Sequence, residues 1–136
     1  MASKSIKLLK IKEWLDKMQI ENYTINEDFT VDVDGNVFLG DLGLTKIPVQ
    51  FGIIEYNFNV NDNNLTSLEG CPRIVKGTFF CSRNNLKSLE GCPERVEGFY
   101  MTMNRYKRFE RSKILELCEV IDDEIHVESW ITHGKK

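Results

Sequence analysis

Leu65-Thr66-Ser67-Leu68-Glu69-Gly70-Cys71-Pro72 recurs 21 residues later as Leu86-Lys87-Ser88-Leu89-Glu90-Gly91-Cys92-Pro93, with seven of eight residues identical. A fixed period of that length means one short supersecondary unit per repeat. Such a unit is too small to bury its own apolar face, so successive units must stack. The same offset carries outward: Phe58, Phe79 and Tyr100 align, as do Val60, Cys81 and Thr102, then Leu44, Leu65 and Leu86, and Ile54, Val75 and Val96. Each unit reads as an alternating strand, a bend at Asn63 or Asn84, and a return through two leucines to a Gly-Cys-Pro turn. A side-chain amide suits such a bend because it can donate to and accept from the backbone of adjacent coils. The expected fold is therefore an α+β repeat, a short solenoid with a parallel β-sheet of about four rungs.

The segment Phe79-x-Cys81-x-x-Asn84-x-Leu86 resembles the signature stretch of leucine-rich repeats, with Phe and Cys in two leucine positions, and Phe58-x-Val60-x-x-Asn63-x-Leu65 matches it again. The wording from Leu65 to Phe79, Leu-x-Ser-Leu-Glu-Gly-Cys-Pro-x-x-Val-x-Gly-x-Phe, is similar to short leucine-rich-repeat-like proteins of bacteriophages. The resemblance spans residues 30 to 106 and departs at both edges: Leu42 replaces Asn in the first unit, and Arg105 and Lys107 replace Asn and Leu in the last. It implies a phage-encoded protein that acts on a host protein, with inhibition of host defence as one such role.

Around the repeat the chain reads as one domain of 136 residues, with an N-terminal capping helix over 4–22, the solenoid over 29–107 and a C-terminal helix and tail over 110–136. Leu8, Ile11, Leu15 and Met18 share a helix face, with Trp14 beside them. Asp34-Gly35, between Phe29–Val33 and Asn36–Leu39, predicts a hairpin that opens the sheet, with Val37 and Leu39 in register with Phe58 and Val60. Ser112 is the expected N-cap of a second helix through Ile121, and Ile125–Ile131 alternates as a strand or docked arm carrying Trp130.

The net charge of −3 gives no basic excess for nucleic acid, and apolar runs fall far short of the roughly 20 residues a membrane helix needs. The lysine-studded start differs from a secretory signal, so the expected compartment is the cytoplasm, or the host cytoplasm for a phage protein. Four cysteines lack zinc spacing and are expected as free thiols; Cys71 and Cys92, one rung apart, point in parallel rather than toward each other. Asp32, Asp34, Asn36 and Asp41 resemble a calcium loop only loosely, because the twelfth position of that frame is Gly43 rather than Glu. His126 and His133 sit among acidic residues of the tail, where a solvated segment accounts for them. No catalytic motif is present, and no catalytic residue, metal or cofactor is expected.

The outward strand positions remain. In the 21-residue register they are Asn36, Phe38 and Gly40; Asn57, Asn59 and Asn61; Thr78, Phe80 and Ser82; and Phe99, Met101 and Met103. Phe38, Asn59, Asn61, Phe80, Ser82, Phe99, Met101 and Met103, rimmed by Arg105 and Tyr106, form the expected partner-binding surface. The expected function is non-enzymatic protein binding, by a monomer or a homodimer. The alternative is a nucleic-acid-binding protein that uses the Asn-rich strands and the Arg105–Arg108 cluster, whose affinity would fall steeply with salt.

Overall fold

The computed structural model describes residues 2–127. Trp130 and His133, and with them the expected arm through Ile131, lie outside the described residues. The elements are α1 (Ala2–Lys17), β1 (Tyr23–Ile25), β2 (Thr30–Val33), β3 (Val37–Phe38), β4 (Gln50–Ile54), β5 (Phe58–Asn59), β6 (Ile74–Phe80), β7 (Arg95–Tyr100), α2 (Arg111–Leu117) and β8 (Glu119–His126).

The repeat coils into a β-solenoid of about four turns with a parallel sheet. Each turn contributes two strand segments that stack in separate ladders. In the first ladder Val33, Ile54, Val75, Val96 and Val120 lie in register. In the second, Val37, Phe58, Phe79, Phe99 and Ile125 do so. Period-two alternation turns both columns inward, where every member is buried. The phenyl rings of Phe51, Phe58, Phe79 and Phe99 form a continuous spine with successive centroids 5.1, 5.9 and 5.3 Å apart. Burying each ring contributes roughly 2–3 kcal/mol relative to leaving it exposed.

Where the second ladder ends, a buried asparagine ties each turn to the one before. The Asn63 carboxamide oxygen accepts the Leu44 N–H at 2.9 Å and its NH₂ donates to Leu39 O at 2.8 Å. Asn84 repeats this one turn on, accepting from Leu65 N at 3.0 Å and donating to Val60 O at 3.0 Å. In the last turn the same place is taken by Asn104, which accepts from Leu86 N at 2.8 Å and donates to Leu86 O at 2.9 Å.

Asn104, rather than Arg105, fills that place because the last turn is one residue shorter than its predecessors. Val75 pairs with Val96, but Thr78 then pairs with Gly98, Phe79 with Phe99 and Phe80 with Tyr100. The lost residue reverses the alternation beyond Glu97. Phe99 and Met101, expected outside, point into the core and are buried, and Tyr100 takes the outward place.

The hairpin also differs from expectation. Asp34-Gly35 does not join paired strands; it turns the corner between β2 and β3, which lie in different ladders of the same coil. The sheet opens instead with an antiparallel hairpin of β1 and β2, pairing Tyr23 with Val33 and Ile25 with Val31. Val37 does pair with Phe58 as the register predicts.

Helix α1 ends at Lys17, short of residue 22, as Gln19 enters the left-handed region at a φ of 61°. Ile11 and Leu15 are buried and Trp14 meets Phe51 at 6.3 Å, whereas Leu8 of the expected face is exposed. Helix α2 is flanked by Glu110 rather than capped by Ser112, and it stops at Leu117. The following residues continue the parallel sheet as β8, leaving Ile121 exposed on a strand. Among the described residues, no helix is long and apolar enough to cross a membrane.

Candidate functional site

The second ladder has an outward column that complements its phenylalanine spine. Phe38, Asn59, Phe80, Tyr100 and His126 follow one another in register. The rings of Phe80 and Tyr100 are 5.2 Å apart, and those of Tyr100 and His126 stack at 4.2 Å and 15°. Phe38, at the far end, is 67% exposed. The rings of Phe80, Tyr100 and His126 are half-buried. The strands of the parallel ladder thus set the spacing of these rings, in geometries favourable for aromatic pairs.

Of the surface residues expected from sequence, Phe38, Asn59 and Phe80 lie on this column. Asn61 and Ser82 flank it, but their polar groups are turned to the fold: Asn61 Oδ1 accepts Ser82 N–H at 2.6 Å, and Ser82 Oγ accepts Thr102 N–H at 2.9 Å. Asn36, Asn57 and Asn59 similarly spend their carboxamide oxygens on backbone N–H groups of Asn57, Thr78 and Asn61. Met103 is half-buried at the corner with a φ of 58°. Arg105 and Tyr106 follow that corner on the return segment; Arg105 donates to Asn63 O at 2.6 Å, and the Tyr106 ring receives Lys87 Nζ at 5.3 Å. Tyr100 and His126 are the members the sequence reading missed. The position of Asn104, 20 residues after Asn84, was the available signal for Tyr100.

The four cysteines are free. Cys71 and Cys81 are buried, and burial pushes both thiols well above their ordinary range. Cys118 as a hydrogen-bonding neighbour, followed by burial, raises the Cys92 thiol, and Cys92 in turn holds Cys118 below the usual thiol value against the opposing effect of burial. Among the described residues, no group of three His, Cys, Asp or Glu side chains gathers as it would around a metal ion.

An open groove of about 870 Å³ runs between α1 and the first turns, lined by Ile6, Ile11, Trp14 and Phe29 with Lys7 and Lys10 at its edge. Lys7 Nζ sits 4.5 Å over the Phe29 ring. A second, of about 580 Å³, lies between α2 and the Gly91 turn. Comparison of the chain with protein-family models, with curated proteins and with solved structures finds no match in any of the three.

Proposed function

We propose that this chain is a non-enzymatic protein-binding module that grips its partner with the outward column of the second ladder. On this reading the repeat is of the leucine-rich kind carried by small bacteriophage proteins, α1 and α2 act as end caps, and the partner is a host protein in the host cytoplasm. Inhibition of a host defence factor is the role that fits such a module. The observation that supports the reading is the row of Phe80, Tyr100 and His126 rings on the parallel sheet, with solvent-exposed Phe38 two rungs away beyond Asn59. Aromatic rings already fixed in place offer apolar contact area at low ordering cost, which is the character of interface anchors.

The test is a comparison of baits. Wild type and a Phe80→Glu, Tyr100→Glu double variant are immobilised and exposed to bacterial lysate, with circular dichroism checking that both are folded. A partner captured by wild type is expected to be lost from the double variant, because two carboxylates would have to be desolvated against it. Capture by the folded double variant at the wild-type level would refute this surface. Sedimentation at two concentrations addresses the homodimer; dimerisation abolished by the same substitutions would assign the face to a second copy.

A further inference from the structure

The segment from Arg105 to Lys113 carries five cations, Arg105, Lys107, Arg108, Arg111 and Lys113, against one carboxylate, Glu110, in a chain whose net charge is −3. The fold adds Lys87 to them from the preceding turn. Lys87 and Lys107 each stand three residues beyond a corner amide, Asn84 or Asn104, and both line the cleft of about 580 Å³ beside α2.

Most other cations of this half of the molecule are matched by carboxylates. Arg83 pairs with Asp62 at 3.8 Å, Arg95 with Glu119 at 3.3 Å, Arg111 with Asp123 at 3.0 Å and Lys113 with Glu116 at 3.5 Å. Among the described residues, no ion pair takes Lys87, Arg105, Lys107 or Arg108, and all four are exposed. Three of them rest on neutral groups instead. Arg105 donates to Asn63 O at 2.6 Å and to Asn85 Oδ1 at 3.2 Å, Lys87 Nζ lies 5.3 Å over the Tyr106 ring, and Lys107 Nζ lies 5.0 Å over that of Phe109. These contacts hold the cations in place and leave their charge unneutralised. Glu90 lines the cleft and Glu110 follows Phe109; counting both, 4 − 2 leaves a net charge of +2 on this surface.

Like charges gathered without counter-ions repel one another, and a polyanion that spans them removes the repulsion. Phe109 is buried, but Tyr106 is 58% exposed and so offers a flat apolar surface amid the cations. An acidic side chain has no use for such a surface, whereas an unstacked base does. We propose that Lys87, Arg105, Lys107 and Arg108 hold the phosphates of a single-stranded nucleic acid while one base lies against Tyr106. This surface shares no residue with the aromatic column of the second ladder.

Fluorescence anisotropy of a labelled oligothymidylate about 15 nucleotides long, the length of a large single-strand site, tests this with the full-length chain. Saturable binding is expected at low salt, with log K falling against log salt at a slope of about −2 to −3, as three or four phosphate contacts to a single strand require. Lys87→Glu combined with Lys107→Glu is expected to weaken binding about tenfold or more. Tyr106→Ala is expected to weaken it about fivefold or more with the slope unchanged. The Phe80→Glu, Tyr100→Glu variant is expected to bind as wild type does; loss of binding there would overturn the placement. No binding by wild type at low salt, a flat salt response, or wild-type affinity in the folded lysine variant would each overturn the proposal. Equal affinity for the same strand annealed to its complement would overturn the stacked base. Poly-glutamate displacing the probe as well as unlabelled oligothymidylate does would overturn the preference for nucleic acid. The salt response and the competition are read on wild type, so they decide even if a variant fails to fold.

Discussion

The carboxamide of Asn84 holds the backbone N–H of Leu65, one turn earlier, at 3.0 Å. The same side chain donates to Val60 O at 3.0 Å, so a fully buried group closes the corner of a turn to which it does not belong. Asn84→Ala would remove the partner of that N–H and of the Cys81 carbonyl, while Val60 O keeps Asn63 Nδ2 and Ser82 O keeps the Asp62 N–H. Each unsatisfied buried group costs about 1–3 kcal/mol, so the expected loss is roughly 2 kcal/mol or more. Urea denaturation measures it; a loss below about 1 kcal/mol would show that water replaces the amide.

Gly91 and Gly35 make opposite demands on their positions. Gly91 has a φ of +88°, and a Cβ there would come within 2.3 Å of the Leu68 carbonyl carbon and oxygen. Gly35 has nothing within 4 Å of that place. Gly91→Ala is expected to destabilise by several kcal/mol, because backbone must move as well as φ. Gly35→Ala is expected to change the melting temperature by only a few degrees, within about ±1 kcal/mol.

The 20-residue last turn predicts a contrast between neighbouring side chains. Met101→Glu would place a carboxylate in the core, and a cost of about 4 kcal/mol or more should unfold the protein or force the group to stay protonated. Tyr100→Glu, on the outward column, should cost no more than roughly 1–2 kcal/mol. Thermal melts of the two single variants separate these outcomes; equal stability would contradict the register.

Acid should loosen the β1–β2 hairpin first at its turn. Hydrogen bonds from Thr30 Oγ1 at 2.7 Å and Thr30 N at 3.1 Å hold the Asp28 carboxyl below its ordinary range. A carboxyl depressed by folding contributes stability that is fully present above its unfolded value, near 3.9, and is lost as pH falls through the lower folded value. Amide exchange at Thr30 is therefore expected to quicken relative to the core as pH falls below about 4. Asp28→Asn should remove that extra acid dependence; persistence of it would assign the effect to another group.

The middle of this fold is written openly in its sequence, because a stacked coil repeats the same packing problem. Leu65 and Leu86, Leu68 and Leu89, and Asn63 and Asn84 solve it with the same residues. The last turn was ambiguous for a physical reason: Phe99 and Tyr100 are both aromatic, so apolar patterning accepts either opposite Phe79. Only the amide requirement at the corner separates the registers, and it selects Asn104. Asp34-Gly35 misled because local turn chemistry is blind to what the flanking strands meet. Twenty-one residues on, its counterpart is Glu55-Tyr56, a corner rather than a hairpin loop, with Tyr56 O accepting Gly77 N–H at 2.9 Å. His126 entered the candidate surface through β8, whose bulge at Asp123, with a φ of 56°, breaks the period that made the other turns visible.

A ladder of parallel strands has no internal reason to stop, since every rung offers the next the same row of amides. Here the final described rung carries Glu119, Asp122, Asp123 and Glu124 in an eight-residue strand. Charged side chains on a strand disfavour its use as a template for another, so the acidity of β8 works against extension of the ladder past this rung.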